Sequence, residues 1–313
     1  MTRRLHLLSR LLDRLAEHVV IGRWGELLFV SFGLFAALGA AATIALTGGI
    51  LIAQGLEPSR FVLLAITGSV AVVLGSWLAG LALEIPALLR KPSEVLRRPT
   101  FVSWGGLIAL LVVAPAVASA GDFSGLLVLD ALARALALGH AIGRIGCLSY
   151  GCCYGRATHG RLAITYHNPD AKAVRVGGMQ GVRIHPAPLY EALSDLVIFV
   201  IVNAVAWLGG PVGLPFALVV LFYGLARFIV EFVRDNRGRM ILGPLSVNHA
   251  MALAMAAIGG LMLPAVAAAA VAPPEASLAQ ALGALPVLLA VLAPASMLVF
   301  IGFATHRSRV GSW

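Results

Sequence analysis

Residues 212–234 read VGLPFALVVLFYGLARFIVEFVR, a run apolar enough to cross a bilayer that carries Arg227 and Glu231 in its second half. About 20 apolar residues rising 1.5 Å each traverse the hydrocarbon core. A charge placed there is costly and needs a partner, a water-filled cavity or an anionic ligand. Tyr223, Arg227 and Glu231 stand four residues apart, which puts them on one face of one helix. Glu231 in that stripe orients Arg227 and balances its charge while donors stay free for a ligand. A salt bridge that merely steadies the helix is compatible with the same spacing.

Similar apolar runs lie near 27–54, 61–88, 101–120, 126–146, 192–209, 245–272 and 279–303. Together they give an all-α polytopic membrane protein of eight spans, with seven as the alternative. Composition agrees, since 60% of the 313 residues are hydrophobic and 12% are charged, against about 25% charged in a soluble domain. The net charge of +9 comes without a basic stripe interleaved with aromatics. That argues against nucleic acid and for anionic membrane lipids as partners. The run 126–146 is the least regular span, because it holds Asp130, Arg134, His140 and Arg144.

Three regions follow. Residues 1–24 form an amphipathic segment along the membrane surface rather than a cleaved signal. Residues 25–272 form the membrane-embedded domain, whose long loop 149–189 is polar, glycine-rich and suited to cap a site. Residues 273–313 add one more transmembrane helix and a basic tail. The basic residues gather on one side: the N-terminus, Arg90 to Arg98, the long loop, Arg234, Arg237, Arg239 and the tail. The positive-inside rule assigns that side to the cytoplasm, although a loop that binds anionic substrates needs its arginines whatever the topology.

Two further motifs carry chemistry: GRIGCLSYGCCYGR at 143–156 and HPAPLYE at 185–191. Arg144 and Arg227 come from different helices, and a guanidinium grips phosphate through two parallel charge-assisted hydrogen bonds. Such a pair can hold a phospholipid headgroup and stabilise a departing phosphate. The alternatives are an ion pair with Glu231 or Glu191, or snorkelling to the interface. Gly143, Gly146 and Gly155 allow sharp turns, tight helix packing or close approach of a ligand. His185 suits proton transfer, phosphate binding or a hydrogen bond at a helix start, and Tyr190 and Glu191 enter the membrane beside it. Cys152 and Cys153 are adjacent, so their side chains are expected to diverge without forming a disulfide. With Cys147 they read as small space-filling groups, and metal binding by the pair together with Cys147 and His159 is the alternative.

These blocks, together with FGLFAALG at 32–39, SWGGLIA at 103–109 and ILGPLSVNHAMAL at 241–253, resemble the bacterial prolipoprotein diacylglyceryl transferases over roughly residues 25–270. The resemblance implies a seven-span core in the bacterial cytoplasmic (inner) membrane, here with an additional C-terminal span, and a site reached from the outer leaflet. For the site this is the opposite placement to the one the charge count gives. It implies transfer of the diacylglyceryl group of phosphatidylglycerol to the lipobox cysteine of preprolipoproteins, forming a thioether and releasing glycerol phosphate. Arg144 then matches the signature arginine and Arg227 the second essential one, with His185 and Glu231 completing the catalytic set. Gly143, Gly146, Gly155, Tyr190, Glu191 and Tyr223 form the substrate-binding set. No cofactor and no metal are expected by that likeness.

The chain departs from the family pattern at several positions. Cys147 and Tyr150 replace asparagines, Cys152 replaces an acid, Trp104 replaces histidine or tyrosine, Phe32 replaces tyrosine and Pro188 replaces glutamine. A phospholipid-dependent transferase with another acceptor is the nearest alternative. An anionic-solute transporter is a further one, although the internal duplication common in that class is not evident.

Overall fold

A computed structural model describes residues 11–97, 102–235, 240–243 and 245–311. Residues 1–10, Arg98, Arg237, Arg239 and the last two residues of the tail lie outside the described residues. Eight apolar helices organise the chain: α1 Ser31–Ala53, α2 Pro58–Leu83, α3 Ser103–Ala120, α4 Gly125–Tyr150, α5 Ala187–Trp207, α6 Leu214–Glu231, α7 Val247–Ala269 and α8 Leu285–Ala304. Among the described residues, seven of them are long and apolar enough to cross a membrane, and α3 is the short one. The protein is a multi-pass membrane protein. In hydrocarbon a helix satisfies its own backbone, which is why uninterrupted apolar sequence becomes helix here. Prolines start α2, α5 and α6, where a missing N–H costs nothing.

The chain divides into two compact units, Met1–Thr43 with Ala133–Ala272 and Ser296–Ser312, and Ile44–Leu132 with Pro273–Ala295 and Trp313. In the second unit α2 and α3 run antiparallel, with Gly68 against Leu110 and Gly75 against Gly105 and Ala109. Small residues let these backbones approach closely, the usual basis of helix association in lipid. Arg60 donates to the Gly121 carbonyl just past α3, satisfying one carbonyl at that end.

The first unit holds most of α4, all of α5 to α7, and the motifs at 143–156, 185–191 and 212–234. More than half of the apolar window of α4 is buried, 56%, against 22–33% in α1, α2 and α5 to α7. The helix that looks least like a span in sequence is the one most enclosed by protein, because its charges need protein around them. Arg134 Nε, for instance, donates to Asn203 Oδ1 on α5 at 2.9 Å. α6 and α7 meet through Gly224 and Gly259. A Cβ on Gly259 would lie 2.7 Å from the Leu221 Cα and 2.9 Å from the Ala217 carbonyl. Backbone cannot step aside, so Gly259→Val is expected to destabilise the protein by about 1–3 kcal/mol or more. Thermal unfolding in detergent measures this, and an unchanged midpoint would refute the close packing.

Beyond the membrane helices the first unit has its own small core. Leu12, Ala16, Val19, Leu28, Val30, Leu148, Ile164, Tyr166 and Ile184 are buried together. The long loop contributes the antiparallel pair Ile164–Thr165 and Arg183–Ile184, and the Tyr166 hydroxyl donates to the Leu148 carbonyl at 2.6 Å. Residues 11–17 are helical, and Thr165 N–H donates to Asp13 while Asn168 donates to the Glu17 carbonyl. The described part of the amphipathic segment therefore turns its apolar face onto protein.

A three-stranded antiparallel sheet follows: Val20–Trp24, Leu27–Val30 and Thr305–Arg307. The apolar run expected to begin a span at 27 is thus a strand up to Val30. The strand after α8 pairs antiparallel with the strand before α1. Ser149 near the end of α4 donates to Ser31 at the start of α1, 2.6 Å apart, and Gly39 faces Gly139. α1 and α4 are antiparallel where these residues meet.

Candidate functional site

Three helix faces of the first unit converge. α4 presents His140, Arg144 and Cys147; α5 presents Glu191 and Asp195; α6 presents Tyr223, Arg227 and Glu231, followed by Arg234. Within each face the residues recur at three or four positions, so they stack one above another along the helix. The result is a polar ladder of three layers inside a helix bundle.

The middle layer is built on Glu191, which is 3% exposed. Its Oε2 lies 2.6 Å from Arg144 Nε, and its Oε1 lies 3.2 Å from Arg227 Nη1 and 2.8 Å from Arg234 Nη1. Glu231, fully buried, pairs with Arg227 on its own helix and lies 3.6 Å from Arg234 Nε. Glu231 also accepts from Asn248 Nδ2 at 2.6 Å and Ser246 Oγ at 3.3 Å. Three guanidiniums face two carboxylates, leaving one positive charge in a group whose arginines are 11–14% exposed. Buried charges of this kind persist only when paired, and the excess cation suits the group to an anionic ligand.

The first layer is His140, whose Nδ1 lies 2.7 Å from Asp195 Oδ2. The His140 ring meets Tyr223 edge-on at 5.5 Å. Ser246 and His249 anchor the start of α7: the Ser246 N–H donates to His249 Nδ1 at 3.0 Å, and the imidazole packs between Phe228 and Phe232. This fixes the helix start that carries Asn248 to Glu231.

The third layer is sulfur. Arg144 Nη1 lies 3.6 Å from Cys153 Sγ and 3.9 Å from Cys147 Sγ. The sulfurs of Cys147, Cys152 and Cys153 all lie within 4.8 Å of one another, and all three thiols are free. The expected divergence of the adjacent pair does not occur. Gly151 (φ 72°) and Cys153 (φ 56°) are left-handed, and this double reversal folds the pair back onto Cys147, with Cys152 N–H donating to the Cys147 carbonyl at 3.1 Å. Hydrogen bonds from Cys147 and Cys152 hold the Cys153 thiol well below the usual range, helped by Arg234 and Arg144 against the opposing effect of burial. Cys152, donating to its neighbours and buried, is pushed well above it. His159 is not part of this group.

Arg144, Arg227, Glu231, Glu191 and Tyr223 are thus brought together. His185 and Tyr190 pair with each other instead, Nδ1 to hydroxyl at 3.2 Å, and burial lowers His185 below the ordinary imidazole range. Gly143 has open space where a side chain would be. Gly146 and Gly155 do not: a Cβ at Gly146 would lie 2.8 Å from Phe35 Cβ, and one at Gly155 would lie 2.5 Å from the His185 carbonyl. Those two glycines let protein pack rather than ligand approach. Arg234, His140, Asp195, Ser246 and Asn248 are site neighbours absent from the expected set. Their spacing to Glu231, Arg144 and Glu191 is the available signal for the first three.

Comparison with known proteins gives the context. The family model for prolipoprotein diacylglyceryl transferase matches residues 19–265. The phosphatidylglycerol–prolipoprotein diacylglyceryl transferase of Clostridium tetani is 28% identical over 232 residues, covering 73% of this chain and 89% of that protein. Phosphatidylglycerol–prolipoprotein diacylglyceryl transferase 2 of Clostridium perfringens is 26% identical over 253 residues, 78% of this chain and 93% of its own length. The enzyme of that name from Geobacter sulfurreducens is 33% identical over 158 residues, 50% of this chain and 57% of its own. By a family match that spans most of its length, the chain belongs to the prolipoprotein diacylglyceryl transferase family.

Proposed function

We infer that the protein transfers the diacylglyceryl group of phosphatidylglycerol to the lipobox cysteine thiol of preprolipoproteins in the bacterial cytoplasmic membrane. The observation that carries this reading is the middle layer: Arg144, Arg227 and Arg234 gathered on the single buried carboxylate of Glu191. A phosphodiester headgroup supplies one negative charge, which balances the excess cation of this group. Its oxygens accept from Arg144 and Arg227, and Glu191 and Glu231 hold both guanidiniums in place. Gly143 leaves room beside Arg144, and the Tyr223 hydroxyl stands one helical turn from Arg227.

The acceptor thiol attacks as the thiolate. A sulfur–carbon bond forms at the glyceryl carbon, the carbon–oxygen bond to phosphate breaks, and glycerol phosphate leaves with the electron pair. Arginines aimed at that oxygen stabilise the growing charge. Both substrates are tethered to the bilayer, so orientation contributes as well. Residues 25–272 carry this chemistry, residues 273–313 extend the membrane body, and Arg156, Arg175 and Arg183 on the loop meet anionic lipid surface.

The test is reconstitution of purified protein with phosphatidylglycerol and a lipobox peptide, read by mass spectrometry. A diacylglyceryl mass on the peptide cysteine is expected, with none on a serine peptide or with phosphatidylcholine as donor. No product beside an active family control would overturn the reading.

A further inference from the structure

We propose that Cys147, Cys152 and Cys153 form a zinc site whose open fourth position takes the acceptor thiol. The proposal rests on the transferase reading for the identity of that thiol, and on the geometry of the sulfur layer for the site. The chain has three cysteines in all, and every one lies in this group with its sulfur within 4.8 Å of the others. Tetrahedral zinc with bonds of about 2.3 Å places its sulfurs about 3.8 Å apart. Closing the triangle onto an ion therefore needs shifts of about 1 Å at most.

The backbone is already shaped for convergence. Cys153 is a non-glycine residue in the left-handed region, a conformation that carries a cost and persists where the surroundings impose it. Without that turn, adjacent cysteines would point apart. Cys147 is buried and the other two are half-buried, so the cluster is enclosed on one side and reachable on the other.

Outer contacts fit as well. Arg144 reaches two of the three sulfurs, the kind of outer contact that orients and balances metal ligands. Packing alone explains buried cysteines in general, but it requires neither three sulfurs gathered within 4.8 Å nor a guanidinium beside two of them.

Three protein ligands with one open position is the pattern of catalytic rather than structural zinc. A thiol that binds there loses its proton outright. On this proposal the lipobox thiol coordinates, its proton passes to water, and the bound thiolate attacks the glyceryl carbon. The carbon–oxygen bond breaks, glycerol phosphate departs with the electron pair, and the thioether leaves the metal. Arg144 touches both the sulfurs and the Glu191 layer, so nucleophile and phosphate are set one residue apart.

The experiment uses the full chain in detergent micelles, reduced and stripped with chelator. Zinc uptake is measured by metal analysis and chelator competition, and Co²⁺ is used as the spectroscopic substitute. One equivalent of either ion, sulfur-to-cobalt charge-transfer absorption, and a change in that spectrum with a cysteine but not a serine lipobox peptide are expected. Cys152→Ser and Cys153→Ala, checked for folding by thermal unfolding, are expected to take binding from one equivalent to none. Folded wild-type protein that binds neither ion overturns the site, and transfer activity found in that sample would leave the transferase reading standing. Metal bound with a spectrum indifferent to the cysteine peptide overturns the fourth-ligand role. Intact metal and peptide responses without any lipid transfer would support the site and sink the transferase reading alone.

Discussion

Arg227→Ala is expected to lower transfer by at least about a thousandfold while leaving a folded, membrane-inserted protein. The size follows from losing a preorganised cation aimed at a departing phosphate in a water-poor site. Folding survives because the remaining partners cover the exposed carboxylates. Glu191 keeps Arg144 and Arg234, and Glu231 keeps Arg234, Asn248 and Ser246. Arg227→Lys separates charge from geometry. A lysine supplies the cation without the planar fork, so it should recover part of the activity. Transfer rates in reconstituted membranes, beside thermal unfolding of each variant, check both statements. Full activity in Arg227→Ala would remove this residue from any contact with the leaving group.

Much of this site is legible in the amino-acid sequence. The stripe of Tyr223, Arg227 and Glu231 and the signature around Arg144 are periodic, local signals, and charges inside apolar helices have few physical explanations. What escapes such a reading is non-local or ambiguous. His140 and Asp195 stand 55 positions apart, and neither sequence context announces the other. Arg234 reads as one of the charges that set orientation, although it is bound to Glu191. A charge engaged in a site carries less information about topology than a free one. The apolar stripe of the N-terminal segment fits a bilayer or a protein surface equally well, and Leu12 and Ala16 lie against the loop core. The strand from Leu27 to Val30 is hidden because it runs without a break into an apolar helix. The cysteines mislead through a rule that assumes ordinary backbone: Gly151 and Cys153 adopt left-handed conformations, which residue types alone do not reveal for a cysteine.

Glu191→Ala should be the most destabilising single change in the site, at about 3–5 kcal/mol, because removing one partner leaves buried charge uncompensated. The asymmetry with Arg227 is informative. Arg144 has Glu191 as its carboxylate partner, and without it three guanidiniums would share Glu231 alone, none of them more than 14% exposed. Repulsion among them would open the bundle where α4, α5 and α6 meet. Glu191→Gln keeps a carbonyl oxygen for one guanidinium but removes the charge, so a smaller loss of stability is expected together with loss of transfer. Phosphatidylglycerol should stabilise Glu191→Gln more than wild type, since the lipid phosphate then supplies charge that the variant has given up. Unfolding midpoints with and without anionic lipid measure this directly. A Glu191→Ala variant that melts like wild type would mean that the three arginines are held by other groups, and the charge argument for a phosphate at this position would fall with it.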